Sequence, residues 1–422
     1  MIAIRNGSVL TSGGVLEIDV LIEGGRVTRV GGDFDAEDNV DVNGAWVGPG
    51  FVDLHVHFRE PGQEWKEDIS TGSRAAAVGG FTAVVTMPNT EPAIDAGHLA
   101  RYVLDRGRQV GLCEIVPAGA LTMGRAGEKL SHLDEMWEAG VRIYSDDGAS
   151  VADAGLLRLA MEYLAEKGGV VAQHAEDAGL ADRGHMHEGA ISSKLGMRGL
   201  PAIAEEVVIA RDLALTRLTG VRYHCQHIST ARSVGLLRQA REEGLAVTAE
   251  VTPHHLTFDH QRVLSLDPVY KMYPPLRPEE DVAEVRKALQ EGVIDAVATD
   301  HAPHAAFETE VPFEEAPRGV IGLETAAAAL HTAIKLDQTT FFDRLSIAPA
   351  RIAGLERQGV SISEGSPANL VVFEPDAAWT PSSFVSKAQN SPFRDRELRG
   401  RVTGTIFGGF VTHHSPLTTR RS

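Results

Sequence analysis

The feature that most restricts this chain is the repeated alternation, through its middle, of short apolar runs with helix-like stretches. The first run, Phe51-Val52-Asp53-Leu54-His55-Val56, is bracketed by Gly48-Pro49-Gly50 and by Pro61-Gly62, and it reads as a short buried strand. Further strands are predicted over 81–86, 113–117, 141–144, 169–172, 221–225, 246–251 and 294–298. Helical stretches are predicted over 156–166, 203–218, 233–243 and 282–289. Strand–helix units repeating over roughly 300 residues match an α/β fold of the (β/α)8 TIM-barrel type, whose reactive groups sit at the C-terminal ends of the strands.

The two ends have another texture. Val20-Leu21-Ile22 runs into Glu23-Gly24-Gly25, and Arg26-Val27-Thr28-Arg29-Val30 into Gly31-Gly32, as strands joined by glycine turns do. Asn369-Leu370-Val371-Val372-Phe373 and Val402-Thr403-Gly404-Thr405-Ile406-Phe407 repeat that texture near the C-terminus. A small β-sandwich domain built from both ends is therefore expected. It would comprise residues 1–50 and 351–422, with a barrel of 51–350 inserted between them.

Composition acts mainly by exclusion. A formal charge of −18 argues against nucleic acid and anionic membrane surfaces as partners. Cys113 and Cys225 are the only cysteines, so a disulfide framework and a cysteine metal cluster are both ruled out. Both cysteines fall in predicted strands and are expected to be buried core. Met1-Ile2-Ala3-Ile4-Arg5-Asn6-Gly7 has no signal-peptide core, and no apolar run has the length of a membrane helix, so a cytoplasmic soluble enzyme is expected.

Polar residues at the predicted strand ends carry the functional signal. His55 and His57 are two apart, so on a strand both imidazoles point the same way, as half of a metal site would require. Other strand ends carry Met87-Pro88-Asn89, Ser145-Asp146-Asp147, Gln173-His174, Gln226-His227, Thr252-Pro253-His254-His255 and Thr299-Asp300-His301. In a barrel these fall around one mouth, which predicts a metal centre there.

The motifs Gly-Phe-Val-Asp-Leu-His-Val-His-Phe-Arg-Glu-Pro-Gly (50–62), Met-Pro-Asn-Thr (87–90), Gln-His-Ala-Glu-Asp (173–177), Gln-His-Ile-Ser-Thr (226–230) and Ala-Thr-Asp-His-Ala-Pro-His (298–304) resemble the dihydroorotase family. The resemblance is to the bacterial type I branch, within the amidohydrolase superfamily, and it covers essentially the whole chain. It implies zinc-dependent, reversible cyclisation of N-carbamoyl-L-aspartate to L-dihydroorotate in pyrimidine synthesis. It further implies His55, His57 and Asp300 at a more buried ion, His174 and His227 at a second, and Asp147 bridging them, with one or two zinc ions per subunit. Many relatives bridge with a carbamylated lysine instead, and no lysine stands at the fourth strand end. Asp300 is the implied general acid/base for attack of an ion-activated hydroxide on the ring amide.

A carboxylate-bearing substrate needs a fixed cation, and Arg59 is the expected one. Asn89, His57, His304 and the backbone of Arg318-Gly319 complete the expected substrate contacts. Tyr273 stands where the family usually has asparagine, so its hydroxyl is expected either to replace that contact or to narrow the pocket. Asp146 is expected to orient its neighbour, His254 and His255 to be structural, His301 to be structural or direct, and His185 and His187 to lie in an ordinary loop. Residues 302–323 read as a long loop over the mouth. Hydantoinase- or allantoinase-like activity, and a non-catalytic scaffold for aspartate carbamoyltransferase, are the alternatives. Aspartate carbamoyltransferase is also a possible partner of an active enzyme, and a homodimer is expected from the superfamily.

Overall fold

In the computed structural model, which describes residues 1–415, the first apolar run forms the strand Phe51–Val56 and every residue of it is buried. Parallel pairing continues through Phe81–Thr86 to Glu114–Pro117. A second parallel set runs Ile143–Tyr144, Val170–Gln173, Arg222–Cys225, Val247–Val251, Ala296–Val297. Single bridges, Gly119 to Tyr144 and Val56 to His301, join the two sets, so the eight strands close into a ring. Burial on both faces explains why these strands are apolar runs instead of alternating patterns.

The helices between them follow from local signals. Ala154–Lys167 starts where the Asp153 side chain accepts from the Gly155 and Leu156 amides, and it ends at Gly168 with φ 75°. It buries Leu157, Ala160, Met161 and Leu164, the one-face spacing of an amphipathic helix. Ile203–Thr219 and Glu279–Glu291 cover the predicted stretches with ends extended by up to three residues, whereas Ala231–Glu242 starts two residues earlier than predicted and stops one residue short, at the capping Glu243. The barrel interior is filled by Leu54, Val85, Met87, Ile143, Val170, Ala172 and Ala298.

The two termini meet in one eight-stranded sheet. Trp46–Pro49 pairs antiparallel with Leu370–Trp379, and Ile2–Thr11 stands beside it. Ile4, Val9, Val20, Val47, Leu370 and Ile406 form the core of that sheet. The crossing from sheet to barrel is a single residue, Gly50, and it must be glycine because a Cβ there would stand 2.2 Å from the Thr82 side chain. At the other end the expected boundary at 350 falls inside the helix Ala348–Ala353. Ala350 packs on Val52 and Ala83, and Ile352 and Ala353 pack on the barrel interior.

Candidate metal centre and substrate cavity

The expected ligands converge. His55, His57 and Asp147 offer ligand atoms within 4.8 Å of one another, as do Asp147, His174 and His227, so Asp147 belongs to both groups. Asp300 Oδ1 lies 2.9 Å from His57 Nε2 and 3.6 Å from His55 Nε2. All six side chains are buried. The backbone at His227 (φ 33°) and Asp300 (φ 46°) is left-handed, a conformation that costs non-glycine residues energy and gathers at functional sites.

Neighbouring groups select which imidazole nitrogen faces the centre. Glu250, fully buried on Val247–Val251, meets His55 Nδ1 at 2.9 Å and His224 Nε2 at 3.0 Å. Burial alone would raise its carboxyl, but the hydrogen bonds from His224 and His55 prevail and bring it to about 2. An ionised carboxylate can only accept, so Nδ1 carries the proton and Nε2 of His55 turns to Asp147 at 3.2 Å. His57 Nδ1 likewise pairs with Asn89 Oδ1 at 2.8 Å. Asn89 Nδ2 donates to Asp147 Oδ2 at 3.3 Å, so this side chain, expected on the substrate, braces two of the candidate ligands.

The residues present fit divalent cations. His55 Nε2 and Asp147 Oδ1 are buried with no hydrogen-bond partner, and His174 Nδ1 faces His227 Nε2 at 2.8 Å. Burial lowers both His174 and His227, the latter well below its ordinary value with His174 and His55 adding to the effect, which suits neutral ligands. Burial also works against a proton on His55, yet Asp147 and Asp300 hold that group well above its ordinary value. The centre therefore favours positive charge where an ion would sit.

Arg59, Tyr273, His304, Arg318 and Gly319 line one cavity of about 300 Å³ with His57, Asn89, Asp147, His174, His227 and Asp300. Arg59 donates through Nε to the Pro303 carbonyl at 3.3 Å, and among the described residues no carboxylate lies within ion-pair distance of it. Burial lowers it to about 10, opposed by Asp300 and Asp147, so it stays cationic. His304 donates from Nε2 to the Arg318 carbonyl at 2.9 Å, which leaves its buried Nδ1 an unpartnered acceptor. Burial, with Arg59 next, pushes this histidine down to about 3.

Tyr273 is held on three sides. Its ring centroid is 4.4 Å from that of His174, the Arg318 guanidinium lies 4.3 Å over it, and its hydroxyl donates to Glu176. The Arg318 side chain also donates to the Gly184 carbonyl at 2.6 Å. Gly319 donates its amide to the Lys271 carbonyl at 2.9 Å and accepts at its own carbonyl from Asn390. Both backbone groups of Gly319, and the carbonyl of Arg318, thus already have protein partners, two of them from outside the loop.

The remaining expectations resolve by geometry. Asp146 accepts from the Leu121 and Thr122 amides and the Thr122 hydroxyl, so it orders the neighbouring loop. His301 Nδ1 accepts from the Gly322 and Leu323 amides, and His255 bonds Thr252 and the Pro274 carbonyl. His254 sits buried in the helix Pro253–Thr257. His185 and His187 are not in an ordinary loop: Met186–His187 pairs in parallel with Gly199–Leu200, and His187 Nδ1 meets Arg277 at 3.1 Å. That register needed a partner about a dozen residues on, which local periodicity does not reveal. Cys113 and Cys225 are buried free thiols, both pushed up by burial, Cys113 to about 12. Residues 302–323 are ordered by Lys271, whose ammonium donates to the Phe313, Glu314 and Ala316 carbonyls at 2.7, 2.9 and 2.7 Å. Sequence reasoning gave Glu250 no role; its signal was a carboxylate inside a predicted barrel strand, between Ala249 and Val251.

A family model described as dihydro-orotase-like matches residues 44–233. The dihydroorotase of Anaeromyxobacter dehalogenans strain 2CP-1 is 42% identical over 419 residues, covering 98% of this chain and 94% of that protein. The dihydroorotase of Streptomyces coelicolor is 45% identical, covering 93% and 94% respectively. Among solved structures, the L-hydantoinase (dihydropyrimidinase) of Arthrobacter aurescens superposes with a TM-score of 0.86 at 24% identity, over 99% of this chain and 97% of that one. A D-hydantoinase from Bacillus sp. AR9 gives 0.84 at 26% identity, over 98% and 95%. These solved structures share the barrel with its terminal sheet.

Proposed function

The chain belongs to the dihydroorotase family, and from that premise we propose that it interconverts N-carbamoyl-L-aspartate and L-dihydroorotate with zinc at one or both cation positions. The observation that supports this most strongly is the shared Asp147 between two ligand triads, opening on the same cavity as a cationic Arg59 with no carboxylate partner. Zinc, when bound, polarises a carbonyl and lowers the pKa of a water. Five side chains hold it in this reading: His55, His57, Asp147, His174 and His227, with Asp300 alongside.

Arg59 binds the ring carboxylate through its two terminal nitrogens, in the planar geometry that a guanidinium offers a carboxylate. His304, neutral and with Nδ1 free, accepts from a ring N–H. Asp300 takes a proton from the attacking water and returns it to the leaving ring nitrogen; run backward, the same transfers close the ring. Tyr273 narrows the cavity beside His174 in place of the family's usual asparagine. Asn89 serves through the ligands it braces, and Arg318 and Gly319 through the loop they hold.

Ring opening of dihydroorotate, followed by its ultraviolet absorbance with zinc-loaded protein and an Asp300→Ala control, tests the reading. Turnover that vanishes in the control supports it. No turnover at full zinc occupancy refutes it, and hydantoin, dihydrouracil and allantoin assayed in parallel distinguish the related cyclic amidases. A homodimer, or a complex with aspartate carbamoyltransferase, belongs to the same proposal and is read by size-exclusion of the proteins alone and mixed. Among the described residues no helix is long and apolar enough to cross a membrane; a cytoplasmic location is our proposal.

A further inference from the structure

The stretch between Leu370–Trp379 and Leu398–Phe407 leaves the terminal sheet and returns to the barrel mouth, where it is fastened along its length. Val385 and Ser386 donate their amides to the Glu324 carboxylate at 2.9 and 3.0 Å. The Ser386 hydroxyl donates to Glu67, and the Lys387 ammonium to Asp68. Phe393 is 1% exposed and packs 5.1 Å, centroid to centroid, from Phe258.

Between these anchors lies Asn390, buried, with its carboxamide inserted between the two legs of the loop 302–323. Nδ2 donates to the Ala302 carbonyl at 3.2 Å and to the Gly319 carbonyl at 3.1 Å. Oδ1 accepts from the His304 amide at 3.3 Å, and the Asn390 backbone carbonyl accepts from Ile321 at 3.1 Å. One leg carries His304 and the other Arg318. A side-chain amide has two donors on one atom and an acceptor on the other, so one residue satisfies three loop groups at once. Aspartate has the same shape but no donors, and serine lacks the reach.

We propose that Asn390 is a positioning residue of the active site, which sets the spacing between the His304 leg and the Arg318–Gly319 leg and so the shape of the cavity's outer wall. The terminal segment thereby takes part in substrate binding without touching substrate. This inference rests on the dihydroorotase reading and on His304 as a substrate contact. Loss of the two donors lets the legs separate, and displacements of about 1 Å at a binding group cost up to roughly 100-fold.

The test compares wild type, Asn390→Asp, Asn390→Ser and His304→Ala in dihydroorotate ring opening, with melting midpoint and bound zinc measured on each. Asn390→Asp should raise KM by roughly 10- to 100-fold, with kcat changed by less than about threefold and zinc content unchanged. A merely structural role would lower the melting midpoint and leave KM where it is. Should the aspartate variant fail to fold, the smaller serine variant carries the same expectation. A wild-type KM in the Asn390 variants beside a raised KM in His304→Ala refutes the positioning role. A wild-type KM in all of them removes His304 from the substrate, and the proposal falls with it.

Discussion

Replacing Glu250 by glutamine isolates what a buried carboxylate contributes to a cation site from one step away. The substitution keeps size and shape at a position of zero exposure, so packing is preserved. It removes the charge that accepts from His55 Nδ1 at 2.9 Å and His224 Nε2 at 3.0 Å. The glutamine oxygen can still accept from His55, but its amide nitrogen then confronts His224 Nε2. That imidazole, paired with Thr248 through Nδ1 at 2.8 Å, must change tautomer. His55 loses the negative partner that makes its Nε2 a strong donor of electron density. Partners of this kind are worth roughly 10- to 100-fold in metal affinity, or about 1.4–2.8 kcal/mol. Competition with a zinc chelator of known affinity measures this directly, and far-ultraviolet circular dichroism reports whether the fold survives. A folded Glu250→Gln variant that binds zinc within about twofold of wild type would refute the argument.

The other predictions concern the cavity. Arg59→Lys keeps the charge but not the planar pair of donors, so KM for dihydroorotate should rise by roughly 10- to 150-fold, the equivalent of about 1.5–3 kcal/mol in charge-assisted hydrogen bonding; an unchanged KM would place the carboxylate elsewhere. Tyr273→Phe removes only the bond to Glu176, whereas Tyr273→Asn also removes the stack between His174 and Arg318. The asparagine variant should therefore weaken zinc binding more than the phenylalanine variant, as read by metal content after dialysis. His304, held near 3 by burial and Arg59 against an ordinary 6.5, binds its proton less readily in the folded state. Stability should accordingly fall as pH drops from about 6.5 toward about 3, and less steeply in His304→Gln; equal slopes in denaturant titrations would contradict the burial argument.

Much of the architecture was legible because its determinants are local. The run 81–86 is a strand in the structure at both ends, and 203–218 a helix one residue longer, since apolar continuity and periodicity are properties of the segment itself. The candidate ligands were legible for a related reason. A barrel places every strand's C-terminal end at one mouth, which brings His55, His57, Asp147, His174, His227 and Asp300 together; which polar residues at those ends belong to the set was implied by the family resemblance.

What the chain alone did not disclose are the groups that hold those ligands and the loop above them. Glu250 reaches His55 across 195 positions of sequence, and Asn390 reaches His304 across 86. Neither leaves a periodic trace, because a hydrogen bond between distant segments depends on where two backbones come to lie, not on what surrounds either residue in the chain. The amide of Asn89, expected on the substrate, is seen to be shared with His57 and Asp147 only in the folded barrel, where it also lines the cavity. The sequence by itself determined the barrel, its terminal sheet and the chemistry gathered at the mouth. Tertiary structure decided which polar atoms remain free there, since that is settled only after every buried donor and acceptor has found its partner.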